Sequence, residues 1–327
     1  DGIRDDLVTG VQTCALPISG TDGTVVLAGV GSGTAPGNVT VTGSTVALGG
    51  DVTLAAGKAL TVSNAGVWTI GAATITAPAG IVQNGAGGVT LAGAVTLATT
   101  DSAVTFGAAV DGENNLTVTA GTGAVSFTGM GATTALGDVA VTAGTVDFGG
   151  NVTLATTDNA VNFTGAVNGT YNLTVTAGTG AVSFGALGTT TVLGTVDITG
   201  GAVNLGGDVT LDTGKSLTVT NSGIWTMPES TITAPSGITQ DGAGLMTLTG
   251  HTTLTSASGN IEFDTEFNGE FDLTISGGRV YLQGMGSVTP IGNLVITTTD
   301  RLRLNQNDNG EVTLAAGKSV TITNAGN

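Results

Sequence analysis

The chain has 327 residues, a formal net charge of −17 and a sequence pI near 4.1, with 56 glycines, 9% charged and 4% aromatic residues. So acidic a balance speaks against nucleic acid and anionic membrane surfaces as partners, and apolar residues never run long enough for a membrane span before Thr, Gly, Asn or Asp interrupts them. A mean hydropathy of +0.36 excludes a disordered composition, and abundant Thr and Val with few aromatics suit narrow β-structure.

In chain order, residues 1–18 (DGIRDDLVTGVQTCALPI) come first and share no motif with the other residues of the chain. Residues 8–18 back-translate to a sequence that resembles a short-read library adapter, so 1–18 are expected to be a non-native segment rather than a signal peptide, whose apolar core would need about 7–15 residues in a row. Cys14, the only cysteine, falls within it, leaving no basis for a disulfide framework. On this reading the native part, residues 19–327, is one continuous fragment of a longer protein, truncated at both ends and derived from shotgun sequence.

Repeats organise the remainder. Residues 115–127 read NLTVTAGTGAVSF, and LTVTAGTGAVSF returns 57 residues later at Leu173. A worn copy, LTISGGRVYL, comes after a further 100 residues at Leu273. Gly29, Gly31, Gly37 and Val39 match Gly129, Gly131, Gly137 and Val139 at the same offset of 100, and VTLATTD at Val95 returns at Val152, 57 later. A second module, GDVTLAAGKALTVSNAGVWTI from Gly50, recurs 157 residues on from Gly207 and again from Gly310.

The two offsets differ by 43 residues, which reads as two coils of a solenoid, with 57 as three and 100 as five. The prediction is an all-β parallel solenoid of about 15 coils of roughly 19–21 residues, stacked at about 4.8 Å per layer. Tandem immunoglobulin-like domains would not survive loss of 43 residues. A ladder supports the period: Phe106, Phe127 and Phe148; Phe163, Phe184 and Leu205; Leu27, Leu48 and Trp68. The step of 15 from Phe148 to Phe163 does not fit it. Trp68 and Trp225 are expected to point inward. In LTVT, Leu116 and Val118 face in and the threonines out, while Gly-Thr-Gly, Gly-Gly and Asn-Gly pairs supply the corners.

These repeats, with TTALGDVAVT, GGNVTL and FTGAVNGTYNLTV, resemble the β-strand-repeat passengers of large exported bacterial proteins, above all filamentous haemagglutinin-like adhesins and autotransporter passengers. The resemblance covers Gly20 to Asn327. It implies a right-handed parallel β-helix, secretion through the outer membrane with a translocating partner there, an extracellular or outer-surface location, and attachment to host-cell or surface glycans and proteins. No membrane insertion of this segment is expected.

Chemistry is sparse. Carbohydrate-active enzymes also use parallel β-helices, and their acid–base work needs clustered carboxylates and bases. This chain offers one histidine, His251, read as an exposed edge residue, and six basic residues beyond Arg4. No catalytic residue and no cofactor are nominated; the expectation is a non-enzymatic structural or adhesive segment. The alternative is a polysaccharide lyase or hydrolase whose active site lies outside the fragment. The nonapeptide calcium repeat is absent, and Asp101 and Asp158 each offer a lone corner carboxylate. The only metal candidate is the acidic patch Glu262, Asp264, Glu266, Glu270 and Asp272, interleaved with Phe263, Phe267 and Phe271; its plainer reading is a solvated loop whose phenylalanines close a coil. Thr-x-Thr pairs such as Thr117/Thr119 lack the constant interval of a flat surface-binding array. Lys58, Lys215 and Lys318 recur at one corner, where charge discourages lateral aggregation.

Overall fold

The computed structural model describes residues 16–304 and 311–325, and among them every regular element is a β-strand. The architecture is the expected parallel β-solenoid, with about 14 turns in all. Residues 1–15, with Cys14 and most of the adapter-like segment, lie outside the described residues; Leu16, Pro17 and Ile18 open the strand Leu16–Leu27 and pair with Val39, Thr40 and Val41. Two compact units divide the chain, Asp1–Gly165 and Ala166–Asn327.

In the first unit each turn has three strand positions. One stack runs Val39, Leu60, Ile81, Val104, Val125, Val146. The next runs Val46, Trp68, Val89, Val110, Met130, Leu154. The third runs Val30, Val52, Ile75, Leu97, Val118, Val141, Phe163. Register partners are mostly 21 to 23 residues apart, as in Val39↔Leu60 and Leu116↔Val139, at or just above the top of the expected 19–21 range. The second unit has the same three-faced plan, with stacks through Val175, Ile198 and Val219, through Val209, Ile232 and Leu254, and through Val203, Trp225 and Met246.

Three faces per turn change the meaning of the sequence offsets. Val39 and Val139, 100 residues apart, stand in different stacks of the first unit. The strand Val95–Ala98 and its copy Val152–Ala155, 57 apart, do too. So do Leu173 and Leu273 in the second unit. At about seven residues per face, 57 is eight faces and 100 is fourteen, each a whole number of turns plus two thirds. Only the difference of 43 is a whole number of turns. The reading of 57 and 100 as three and five coils is thus corrected, and the two-coil reading of 43 stands, because every face demands the same alternating pattern and a copied strand fits any of them.

Burial alternates along most strands, as in Leu116–Thr119 and Leu60–Asn64, so inward Val, Leu and Ile fill the interior. Phe106 and Phe127 stack with ring centroids 5.5 Å apart and planes 7° apart, and Phe127 is in register with Phe148. The odd step to Phe163 is a change of face: its ring meets Phe127 across the interior at 6.5 Å. Trp68 and Trp225 do point inward, 1% and 0% exposed, but stand opposite Val46 and Val203 rather than on the leucine rungs of the expected ladder.

Corners carry the polar chemistry. Asn64 and Gln83 are fully buried: Gln83 Nε2 donates to Asn64 Oδ1 at 2.8 Å and to Gly85 O at 2.8 Å, while Asn64 Nδ2 donates to Gly87 O at 2.9 Å. The second unit repeats this with Gln240 Nε2 on Asn221 Oδ1 at 2.9 Å and on Gly242 O at 3.0 Å. Each amide pair satisfies backbone carbonyls that the turning chain cannot pair in a ladder. At exposed corners Asn and Asp accept from N–H groups of the next turn: Asn115 Oδ1 from Asp138 at 2.9 Å, Asn172 Oδ1 from Thr195 at 2.9 Å. In the Gly-Lys turns, Gly57, Gly214 and Gly317 hold φ of 70°, 74° and 78°, a left-handed conformation that favours glycine.

Candidate functional site

The acidic patch is distributed rather than gathered. Glu262 points outward from the strand Asn260–Phe263 and accepts from Asn260 Nδ2 at 2.9 Å. Asp264 is exposed at the adjoining corner, its N–H on Gln240 Oε1 at 3.0 Å. Glu266 accepts from Ser287 Oγ, and Glu270 is exposed at the next corner. Asp272 acts as a corner cap: its Oδ1 accepts from Asn293 N at 2.7 Å, and Lys318 Nζ lies 3.5 Å away. The Asn293 backbone bond, above all, holds the Asp272 carboxyl below its ordinary value. Asp101 is lowered in the same way by the N–H of Thr122. Among the described residues no group of three or more His, Cys, Asp or Glu is arranged to hold a metal ion.

Two of the three interleaved phenylalanines close the interior as expected. Phe263 and Phe267 are buried and meet edge to face at 4.7 Å, with Trp225 6.1 Å from Phe263. Phe271 is half-buried and lies edge-on to His251 at 5.8 Å. His251 is exposed, and its Nδ1 accepts the Asp272 N–H at 3.1 Å.

Sequence reasoning missed a groove in which carboxylates and guanidiniums meet. Asn260, Glu262, Asp264, Arg279, Tyr281 and Arg303 line an open groove of about 280 Å³ on the second unit. Three rungs build it: Asn260–Phe263, the far half of Leu273–Leu282 and the far half of Leu294–Leu304. Glu262, Tyr281 and Arg303 form one outward column, and Arg279 and Arg301 are register partners in the next. Arg279 Nε donates to Asp300 Oδ2, and this bond with the neighbouring negative charge raises the Arg279 value further. The Arg303 guanidinium lies 5.7 Å from the Tyr281 ring centroid, within cation–π range. A signal was present: the three arginines beyond Arg4 all fall between residues 279 and 303. A hollow on the first unit, lined by Glu113, Thr134, Ala135, Leu136, Thr157 and Asn159, offers one carboxylate and no base.

Chemically, the groove sets carboxylate acceptors on one rung against guanidinium donors on the next two, in contact with water. No protein-family model, curated protein or solved structure matches the chain. The sequence and its geometry therefore carry the functional argument, and the conclusion they reach is architectural: this is a parallel β-solenoid.

Proposed function

We propose that the chain is a structural and adhesive segment of a large secreted or cell-surface bacterial protein, of the filamentous haemagglutinin-like or autotransporter-passenger kind. One observation carries this reading: within each unit the three stacks pass from turn to turn in parallel register, and the chain between them is spent on tight corners. Such a ladder draws its stability from neighbouring turns rather than from a globular core. It leaves the outward side chains free to vary, which suits a scaffold that presents contacts to a surface. The acidic charge favours solubility outside the cell and a low tendency to stick to nucleic acid.

The test is display of the segment on a non-adherent bacterium, with attachment to cultured cells and to protein- and glycan-coated surfaces as the readout. Attachment should rise clearly above that of the same strain displaying an unrelated passenger. Attachment at background would overturn the adhesive reading. Glu262 and Asp264 beside Arg279 and Arg303 support a different form of the carbohydrate-active alternative, one whose active site lies within this segment rather than outside it; release of new reducing ends from polysaccharide by the purified chain would decide in its favour.

A further inference from the structure

The charged groove of the second unit has an unusual internal imbalance. Arg279 and Arg301 stand directly opposite each other on adjacent rungs, about 4.8 Å apart in the stacking direction, and like charges so placed repel. Asp300 answers Arg279. Among the described residues no carboxylate pairs with Arg301 or Arg303; Tyr281 holds Arg303 in place through its ring. Arg301 and Arg303, two residues apart on one strand with Cα atoms about 6.7 Å from one another, thus stand on the same side with their forks unfilled. A planar carboxylate is the group that such forks bind best.

The acidic rung sets the rest of the chemistry. Glu262 and Asp264 border the same groove, so a ligand with closely spaced negative charges meets repulsion one or two rungs from the arginines. Ionised carboxylates accept hydrogen bonds and donate none, so the ligand must bring donors there: hydroxyl groups, with Asn260 able to serve either role. A volume of about 280 Å³ is just below the usual range for small-molecule pockets, and the lining is polar rather than apolar.

We propose that this groove binds a carboxylated saccharide, its carboxylate on Arg303, which lines the groove, and on Arg301, which stands beside it as the register partner of the lining Arg279, and its hydroxyls on Glu262, Asp264 and Asn260. The proposal names a ligand class for the adhesive part of the function proposed above and rests on that part alone. Binding to a single groove is weak, and attachment would come from many copies acting together.

The experiment uses the full chain and three tetrasaccharides: hyaluronan, with one carboxylate per disaccharide and no sulfate; neutral chitotetraose; and densely sulfated heparin. Affinities are read by ligand-observed NMR or calorimetry. Hyaluronan tetrasaccharide should bind at least tenfold more tightly than either of the others. Arg301→Gln with Arg303→Gln should weaken it at least tenfold at an unchanged unfolding midpoint. Glu262→Gln with Asp264→Asn should weaken hyaluronan and strengthen heparin, because the repulsive rung is gone. No hyaluronan binding, equal binding of chitotetraose, a preference of the unmodified chain for heparin, or full binding by the arginine variant would each overturn the proposal. Loss of the groove proposal with attachment of the displayed segment intact would leave the adhesive reading standing; loss of attachment with oligosaccharide binding intact would do the reverse.

Discussion

Along one face of the second unit, two regions share a backbone and differ in everything they show to solvent. Thr174, Asp197, Thr218 and Thr239 occupy successive outward positions, and Glu262, Tyr281 and Arg303 continue the same column. Behind them the inward residues Val175, Ile198, Val219, Gln240, Phe263 and Leu282 stack without a break. The inner column must fill a narrow interior at every turn; the outer column answers only to water and to β-propensity. The contrast teaches that function, where this fold has any, is written on alternate residues.

The sharpest way to break the contrast is to truncate on both sides of one strand. Phe263→Ala, which empties the space between Trp225 and Phe267, should cost about 3–5 kcal/mol in urea unfolding, while Glu262→Thr, one residue away and outward, should stay within about 0.5 kcal/mol. Comparable losses at the two positions would mean that the outer column is structural as well.

Gln240 tests whether the inner column tolerates a change of chemistry at constant size. Gln240→Leu leaves Asn221 Oδ1 and the Gly242 carbonyl without this donor, and the Asp264 N–H keeps only the Gln240 backbone carbonyl, at 3.3 Å. Since each orphaned buried group costs about 1–3 kcal/mol, a loss of about 3 kcal/mol is expected. Amide hydrogen exchange should locate the opening at Gly242–Asp264, and an unchanged exchange pattern there would refute the role given to the amide pair.

A smaller effect belongs to the corners. Asp272 and Asp101 are held below the ordinary carboxylate value by backbone N–H groups of the next turn. A carboxyl depressed on folding adds stability that is present above its unfolded value of about 3.9 and is lost as the pH falls through the lower folded value. Melting temperature should therefore drop on acidification below about pH 4, and Asp272→Asn with Asp101→Asn should flatten that slope relative to the unmodified chain. An identical slope in the double variant would show that other groups govern it.

How much could be read in advance obeys the same division. The alternation in LTVT, the Gly corners and the stacked Phe106–Phe127 column were legible, because inward positions obey a strict size and period. The phase of the repeats was not. A strand such as VTLATTD carries no mark of which face it will join, so its 57-residue offset looked like whole coils. The Asn64–Gln83 pair was equally hidden, although SNAG and IVQNG return as TNSG and ITQDG at the 157-residue offset; polar residues in a Gly-rich stretch read as loop until the turn closes around them. Arg279 and Arg303 were passed over because they sit in different repeats, 24 residues apart, and only stacking makes them neighbours.

The two-thirds-turn remainder in the repeat has a consequence for how such a gene changes. Recombination between VTLATTD at Val95 and its twin at Val152 would join the chain seamlessly, yet everything beyond the junction would emerge a third of a revolution away from its former bearing. A patch of outward residues can in this way be re-aimed without altering a single amino acid in it. Exchange over 43 residues would instead lengthen or shorten the stack and keep every bearing. One gene thus holds two kinds of edit, one for reach and one for direction, and the length of the exchanged block selects between them.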